Sequence, residues 1–434
     1  MTTAMGAALR RIQTGNALSA FGNGFTVPYT FLYVSQVRGL GSTTAGIALA
    51  GFAVAALLVL PFTGRFIDQR GPLPVAIAGA LAASAGSMAL GLASTTQLVL
   101  VSALVMGAGI AVIQPALATM IVWSSAPTNR SRAFATQFFL NNLGLGIGGL
   151  VGGLLVDEHV PASFTLLFAI ESVMFLVLAG VVFSVRLPHV PRVGDAVPKG
   201  ARGSLRTMVG DRAMVLLCVL GFVMFFACYG QFESGLSAFA LEVSGISPAM
   251  LGVALAANTA VIVLAQFLVL RLVERRRRSR VIAAVGLVWA VAWLLAAASG
   301  WVAGGPAMAT AAIISTYALF GLGEAMLSPT VAPLVADLAP ASMLGQYNAT
   351  FALVKQLALA LGPAVGGLLA GVGAYGVYIS GLVVCSLGIS AVALRLGRRL
   401  TPVQDLPALA ASRVVAGGGP VDSAASVRTA EARV

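Results

Sequence analysis

A chain of 434 residues that is 59% hydrophobic and only 9% charged, with a mean hydropathy of +0.96, has too much apolar surface for a water-soluble fold, since soluble domains carry about 25% charged residues. The net charge of +12 does not read as nucleic-acid binding, because the basic residues sit in short loops between apolar runs and not on a foldable basic domain. Cys218, Cys228 and Cys385 all fall inside apolar runs, which makes them packing residues and implies no disulfide.

Twelve spans are expected in chain order. They lie at 13–37, 43–63, 73–93, 97–123, 132–156 and 162–184, then at 213–238, 248–270, 281–301, 306–334, 344–370 and 374–396. Each is long enough to cross about 30 Å of hydrocarbon at about 1.5 Å per residue. The first has no small-residue cleavage site and reads as a retained span. Residues 1–186 and 209–396 form two halves. A Pro-, Gly- and charge-rich linker at 187–208 joins them, and a polar tail at 397–434 reads as disordered. With both termini inside, every Lys and Arg except Arg38 and Lys355 lies on the inner side or at its helix ends, so both termini are expected in the cytoplasm of a multi-pass plasma-membrane protein. Trp289 and Trp293 on the ninth span read as a lipid-facing stripe, and Trp301 as an interface anchor.

The halves repeat at a spacing near 214. Gly107, Gly109, Ala111 and Pro115 recur as Gly321, Gly323, Ala325 and Pro329, and Gly148, Val151, Gly152, Gly153 and Leu154 recur as Gly362, Val365, Gly366, Gly367 and Leu368. The fold class expected is therefore an all-α polytopic membrane protein of two pseudo-symmetric six-helix bundles, opened alternately to each side.

The loop after the second span reads Gly64-Arg65-Phe66-Ile67-Asp68-Gln69-Arg70-Gly71, a Gly followed four residues later by Asp and then by a basic residue and Gly. With Gly144, Gly148, Gly152 and Gly153 of the fifth span, and Gly362-Pro363 of the eleventh, it makes the chain resemble the major facilitator superfamily across all twelve spans, on the side of its proton-coupled bacterial inner-membrane drug exporters. The usual basic pair of the loop is absent, since Gln69 and Pro72 stand there, and Ala103 occupies the place of the intramembrane Arg that many such exporters carry. The resemblance implies a gating role for the loop. Gly64 lets two helix ends approach, and Asp68 can accept from N–H groups at a neighbouring helix start or pair with Arg70 or Arg132. Glu274 is the counterpart in the second half. Gly144, Gly148 and Gly152, every four residues, read as a packing stripe that also permits sliding, and Gly362, Pro363 and Gly366 as its equivalent.

Charges within the hydrocarbon are Glu171, Glu233, Glu324 and Lys355, the candidates for proton coupling. Glu324 and Lys355 sit at the same depth and read either as a static pair or as a switch. Glu171 reads more as a packed contact. The candidate substrate cavity takes Asn23, Tyr29 and Tyr33 from span 1, Gln114 from span 4, Asn141 and Asn142 from span 5, Tyr229 and Gln231 from span 7, Asn258 from span 8, Phe320 from span 10 and Gln356 from span 11. Each amide reads equally as an interhelical hydrogen bond.

No Walker Gly-Lys-Ser/Thr run is present, and His159 and His189 lie in loops on opposite faces, so neither an ATPase nor a metal centre is expected, and no cofactor. The expected function is export of small hydrophobic or cationic compounds by proton antiport, in a monomer whose partners are its substrate, protons and membrane lipids. Carriage of a sugar or other polar metabolite, or a non-transporting receptor or assembly factor, are the alternatives.

Overall fold

The computed structural model describes residues 2–157, 159–187, 205–232, 234–300 and 305–408, within which there is no strand. Helices satisfy their backbone groups internally, as hydrocarbon demands. Helix α1 (Thr2–Thr26) stops before Pro28, which has no N–H to give, resumes at Thr30–Leu32 and closes in a wide turn at Tyr33–Val37. Helix α2 (Gly41–Arg70) ends at Gly71, whose φ of +88° only glycine adopts readily, and Pro72 starts α3 (Pro72–Leu92). Then follow α4 (Thr96–Trp123), α5 (Arg130–Leu155) and α6 (Pro161–Phe183).

The second half begins with α7a (Arg212–Ala227), capped by Asp211, whose carboxylate accepts from Ala213 and Met214 N–H at 3.0 and 3.2 Å. The helix breaks and resumes as α7b (Gly235–Glu242). Helices α8 (Pro248–Val273), α9 (Arg278–Ser299), α10a (Pro306–Leu327), α10b (Val331–Leu338), α11 (Leu344–Gly371), α12 (Tyr375–Gly397) and the short α13 (Pro402–Asp405) complete the order. Among the described residues, eleven helical stretches are long and apolar enough to cross a membrane. The twelfth expected span is α1, which Gln13, Asn16 and Asn23 make more polar. The expected linker lies mostly outside the described residues, as do Trp301 and the tail beyond 408.

Glycine contacts show the two-fold repetition directly. A side chain at Gly107 would strike Phe52 of α2, and one at Gly321 would strike Asn258 of α8. Gly109 abuts Ala83 of α3 as Gly323 abuts Trp289 of α9, and Gly148 meets Gly24 of α1 as Gly362 meets Gly230 at the break of α7. The same offset therefore brings the same helix pairs into close contact in each bundle.

Each bundle has its own apolar core. The first half buries Ile12, Phe134 and Phe175 towards the arginine-rich end, hereafter the basic face, and Tyr33, Phe164 and Phe168 towards the other. The second half is centred on aromatic rings, and here the expectation for Trp289 and Trp293 is corrected. Both are fully buried, donating Nε1 to Phe320 O at 3.3 Å and Ala227 O at 3.1 Å. The indole N–H has no partner in lipid tails but finds a carbonyl inside the bundle.

Candidate functional site: a cavity between the bundles

A cavity of about 460 Å³ lies where the bundles face each other. The first half contributes Asn16 from α1, Gln114 from α4, and Gln137, Phe138 and Asn141 from one face of α5. The second half contributes Phe225 and Tyr229 from α7, Glu324 from α10a, and Phe351, Lys355 and Gln356 from α11. Lys355 is the repeat partner of Asn141, 214 residues on, so equivalent helices supply equivalent walls. Phe138, Gln137 and Phe351 are additions to the sequence reading. Their spacing of three or four residues from Asn141 and Lys355 was the signal for them.

Glu324 and Lys355 are the two charged groups of this wall. Glu324 is 3% exposed. Its Oε1 accepts from Asn258 Nδ2 at 2.8 Å, and the Tyr229 hydroxyl also hydrogen-bonds the carboxylate. The ammonium of Lys355 stands over the Phe225 ring, 5.2 Å from its centroid. The two charges attract across the cavity but form no contact ion pair, and the carboxylate takes its hydrogen bonds from Asn258 and Tyr229 instead. That corrects the static-pair alternative.

The other two candidate acids stand apart. Glu171 is fully buried within the first bundle, where its Oε2 accepts from Ser87 Oγ at 2.7 Å, and it does not line the cavity. Glu233 lies outside the described residues.

Several expected cavity residues serve packing. Tyr33 is fully buried and donates to Gly91 O at 2.5 Å, and Tyr29 donates to Gly149 O at 3.1 Å, tying α1 to α3 and α5. Asn142 bonds its own helix at Phe138 O, 3.0 Å away. Gln231 is fully buried, donating to Phe226 O at 2.8 Å and accepting from Tyr378 at 3.1 Å. Phe320 is enclosed by Trp289 and Trp293. Asn23 lies outside the cavity wall, and Asn258 reaches it only through Glu324. Apolar helices are apolar on both faces, so the sequence does not show which side an isolated amide takes.

At the basic face the bundles are tied together. Asp68, at the end of α2, accepts from Gly345 N–H at 2.6 Å, Gln346 N–H at 3.1 Å and Gln346 Nε2 at 3.0 Å, all at the start of α11. A carboxylate here meets the unsatisfied N–H groups and the positive dipole end of that helix. Gly64 and Gly345 make the approach feasible, since a Cβ on Gly64 would sit 2.6 Å from Gln346 Cα. Arg70 instead lies over the Phe66 ring at 5.2 Å. Arg132 and Glu274 are exposed and make no ion pair with any described residue, so neither ties the bundles in this conformation as expected.

The ion pairs of this face fall on residues the sequence reading passed over. Asp337, at the end of α10b, pairs with Arg130 of α5 across the bundles and with Arg278 of α9 at 2.7 Å. Asn348 of α11 adds a bond to Thr119 of α4 at 3.2 Å. The segment after α12 lies over this cluster. Gln404 Nε2 donates to Asp337 O at 3.2 Å, Gln404 O accepts from Arg278 at 3.1 Å, and Asp405 accepts from Ser279 N–H at 2.9 Å. Asp337 is the one acid between the tenth and eleventh spans, and that was the available signal. The glycine stripe Gly144, Gly148 and Gly152 packs along Ala17, Phe21 and Phe25 of α1, and Gly362 and Gly366 along Gly230 and Gln231. Both stripes, with Pro363 between the latter pair, therefore pack within a bundle and not at the seam.

Two related six-helix bundles around a central polar cavity are the architecture of a secondary transporter, and not of an enzyme. The profile of the Major Facilitator Superfamily matches residues 14–363 and 236–421. The chain belongs to that superfamily, and it is a multi-pass membrane protein. It is 29% identical over 168 residues to multidrug resistance protein 1 of Bacillus subtilis, which covers 37% of this chain and 43% of that protein, so the match spans less than half of that relative. It is 25% identical to the uncharacterized MFS-type transporter YttB of the same organism over 83% of this chain and 88% of that one. Among solved structures, the outward conformation of FucP superimposes with a TM-score of 0.76 at 15% identity, covering 92% of this chain and all of that one. The human organic anion transporter MFSD10 gives 0.66 at 17% identity, covering 92% and 99%.

Proposed function

We propose that this transporter exports small organic compounds with apolar bodies in exchange for protons, its basic face lying in the cytoplasm. The observation that carries the reading is Glu324, a carboxyl in the cavity wall between the bundles, held by a neutral amide and a phenol and by no contact cation. A carboxyl so placed can exist with or without its proton, and cargo entering the cavity changes which form is favoured. The Asp68 and Asp337 ties hold the basic face closed, so the conformation is the one in which cargo leaves on the far side. Loss of those ties opens the cavity to the cytoplasm. Similarity to a multidrug resistance protein supports the export direction.

The amide-rich wall of Asn16, Gln114, Gln137, Asn141 and Gln356 favours a second reading, carriage of a polar metabolite. Purified protein in liposomes enclosing a pH-reporting dye separates the two. Under an imposed pH gradient, apolar compounds are expected to move protons stoichiometrically, and Glu324→Gln to remove that movement while binding persists. Undiminished proton movement in Glu324→Gln would eliminate the coupling assignment, and proton-independent uptake of sugars would establish the second reading.

A further inference from the structure

The two charged groups of the cavity wall are not equivalent. Glu324 is covered by its neighbours and has donors already in place. Lys355 is the reverse. It sits midway along α11 with surface open to the cavity, and its ammonium makes no hydrogen bond or ion pair with any described residue. The Phe225 ring supplies electrostatic attraction from one side only, so the ammonium's three N–H donors have no oxygen acceptor among the described residues. A half-buried ammonium facing a cavity in that condition attracts an anion.

The surroundings extend the same chemistry. Gln356 follows Lys355 directly, and Asn141 faces from the other bundle with its Oδ1 taken by Asn16 Nδ2 at 3.2 Å, which leaves its own amide as a donor. Beside these donors lie rings: Phe225 and Phe351 meet edge to face with centroids 6.3 Å apart, and Phe138 stands on α5.

We propose that the cargo is an amphipathic organic anion, its carboxylate seated on Lys355 and its apolar body lying against Phe225, Phe351 and Phe138. This deepens the transport reading above and rests on it for direction. It replaces the cationic part of the sequence expectation, since the acid that would receive a cation is covered. It also has an energetic corollary: a departing monoanion and an entering proton displace charge in the same electrical sense, so membrane potential and pH gradient drive the exchange together.

The test is equilibrium binding to the full chain in lipid nanodiscs, which needs no flux. Three probes share one ring system and differ in charge: 1-naphthaleneacetate, 1-naphthaleneacetamide and 2-(1-naphthyl)ethylammonium, titrated by fluorescence anisotropy. The acetate is expected to bind at least roughly tenfold tighter than either of the others, as a charge-assisted pair implies. Lys355→Met is expected to erase that preference and Lys355→Arg to retain it. Because Met leaves Glu324 alone in the wall, circular dichroism and melting of each variant are read alongside, and retention in the Arg variant provides the check if the Met variant fails to fold. Equal affinity for the three probes, preference for the ammonium, no saturable acetate binding, or an unchanged preference in a folded Lys355→Met would each overturn the proposal. Charge-selective binding without gradient-driven flux of the acetate would instead sink the export reading and leave this assignment standing.

Discussion

Replacing Asp68 by Ala is expected to open the basic face. The carboxylate accepts three bonds, two of them from backbone N–H groups in the first turn of α11. A hydrogen bond to a charged group contributes about 1.5–3 kcal/mol when buried, and a carboxylate at a helix start adds about 0.3–1 kcal/mol. Asp68 is only partly buried, so solvent takes up some of the loss. A net weakening of about 2 kcal/mol is a conservative figure, and it shifts a two-state population about 30-fold. Spin labels at the exposed positions 132 and 274, at the basic ends of α5 and α8, report the distance by double electron–electron resonance once the three native cysteines are replaced. The parent is expected to give one short distance, Asp68→Ala a second and longer population, and Asp68→Asn an intermediate mixture, because its amide oxygen still accepts. Distance distributions for Ala and parent that superimpose would show that the contact at α11 does not set the conformational balance.

Asp337→Asn is expected to be more damaging than Arg130→Met, because it strips the partner from Arg278, whose side chain is 3% exposed, and breaking such a buried pair costs about 3–5 kcal/mol; melting in detergent should fall in that order, and the reverse order would contradict it. Gly148→Val is expected to abolish the folded monodisperse peak in size-exclusion chromatography, since its Cβ collides with Phe21 O, whereas Gly149→Ala, with 3.6 Å to its nearest neighbour, is expected to behave as the parent. Trp293→Ala should lower stability by about 3–5 kcal/mol, as for a core aromatic. A change within the narrow range of surface substitutions would restore the lipid-facing assignment.

What the sequence made legible was whatever hydrocarbon imposes on composition. The apolar runs, their arginine-rich ends and the shared offset of Gly107 with Gly321 or Gly148 with Gly362 all follow from helices having to span lipid and pack closely. Asp68 stood out because a Gly-x-x-x-Asp pattern ends a span. Facing was illegible. In a soluble helix the buried stripe differs chemically from the wet one, but here both are apolar, so Tyr33 and Gln231 looked like cavity residues while Phe351 and Gln137 went unmarked. The basic-face cluster was hidden for another reason. Arg130, Arg278 and Asp337 come from the ends of three separate helices, and a three-body contact across 207 residues leaves no local pattern.

The segment around α13 touches Asp337, the residue through which the two bundles meet at the basic face. Purification handles and fluorescent reporters are commonly appended downstream of the last membrane helix. One fused directly after Leu400 in place of Thr401–Asp405 would remove the brace on Arg278 and Ser279, whereas one joined beyond residue 408 would leave it seated. Two such fusions of this same transporter would then differ in their resting conformation, and activities measured from them should not be pooled.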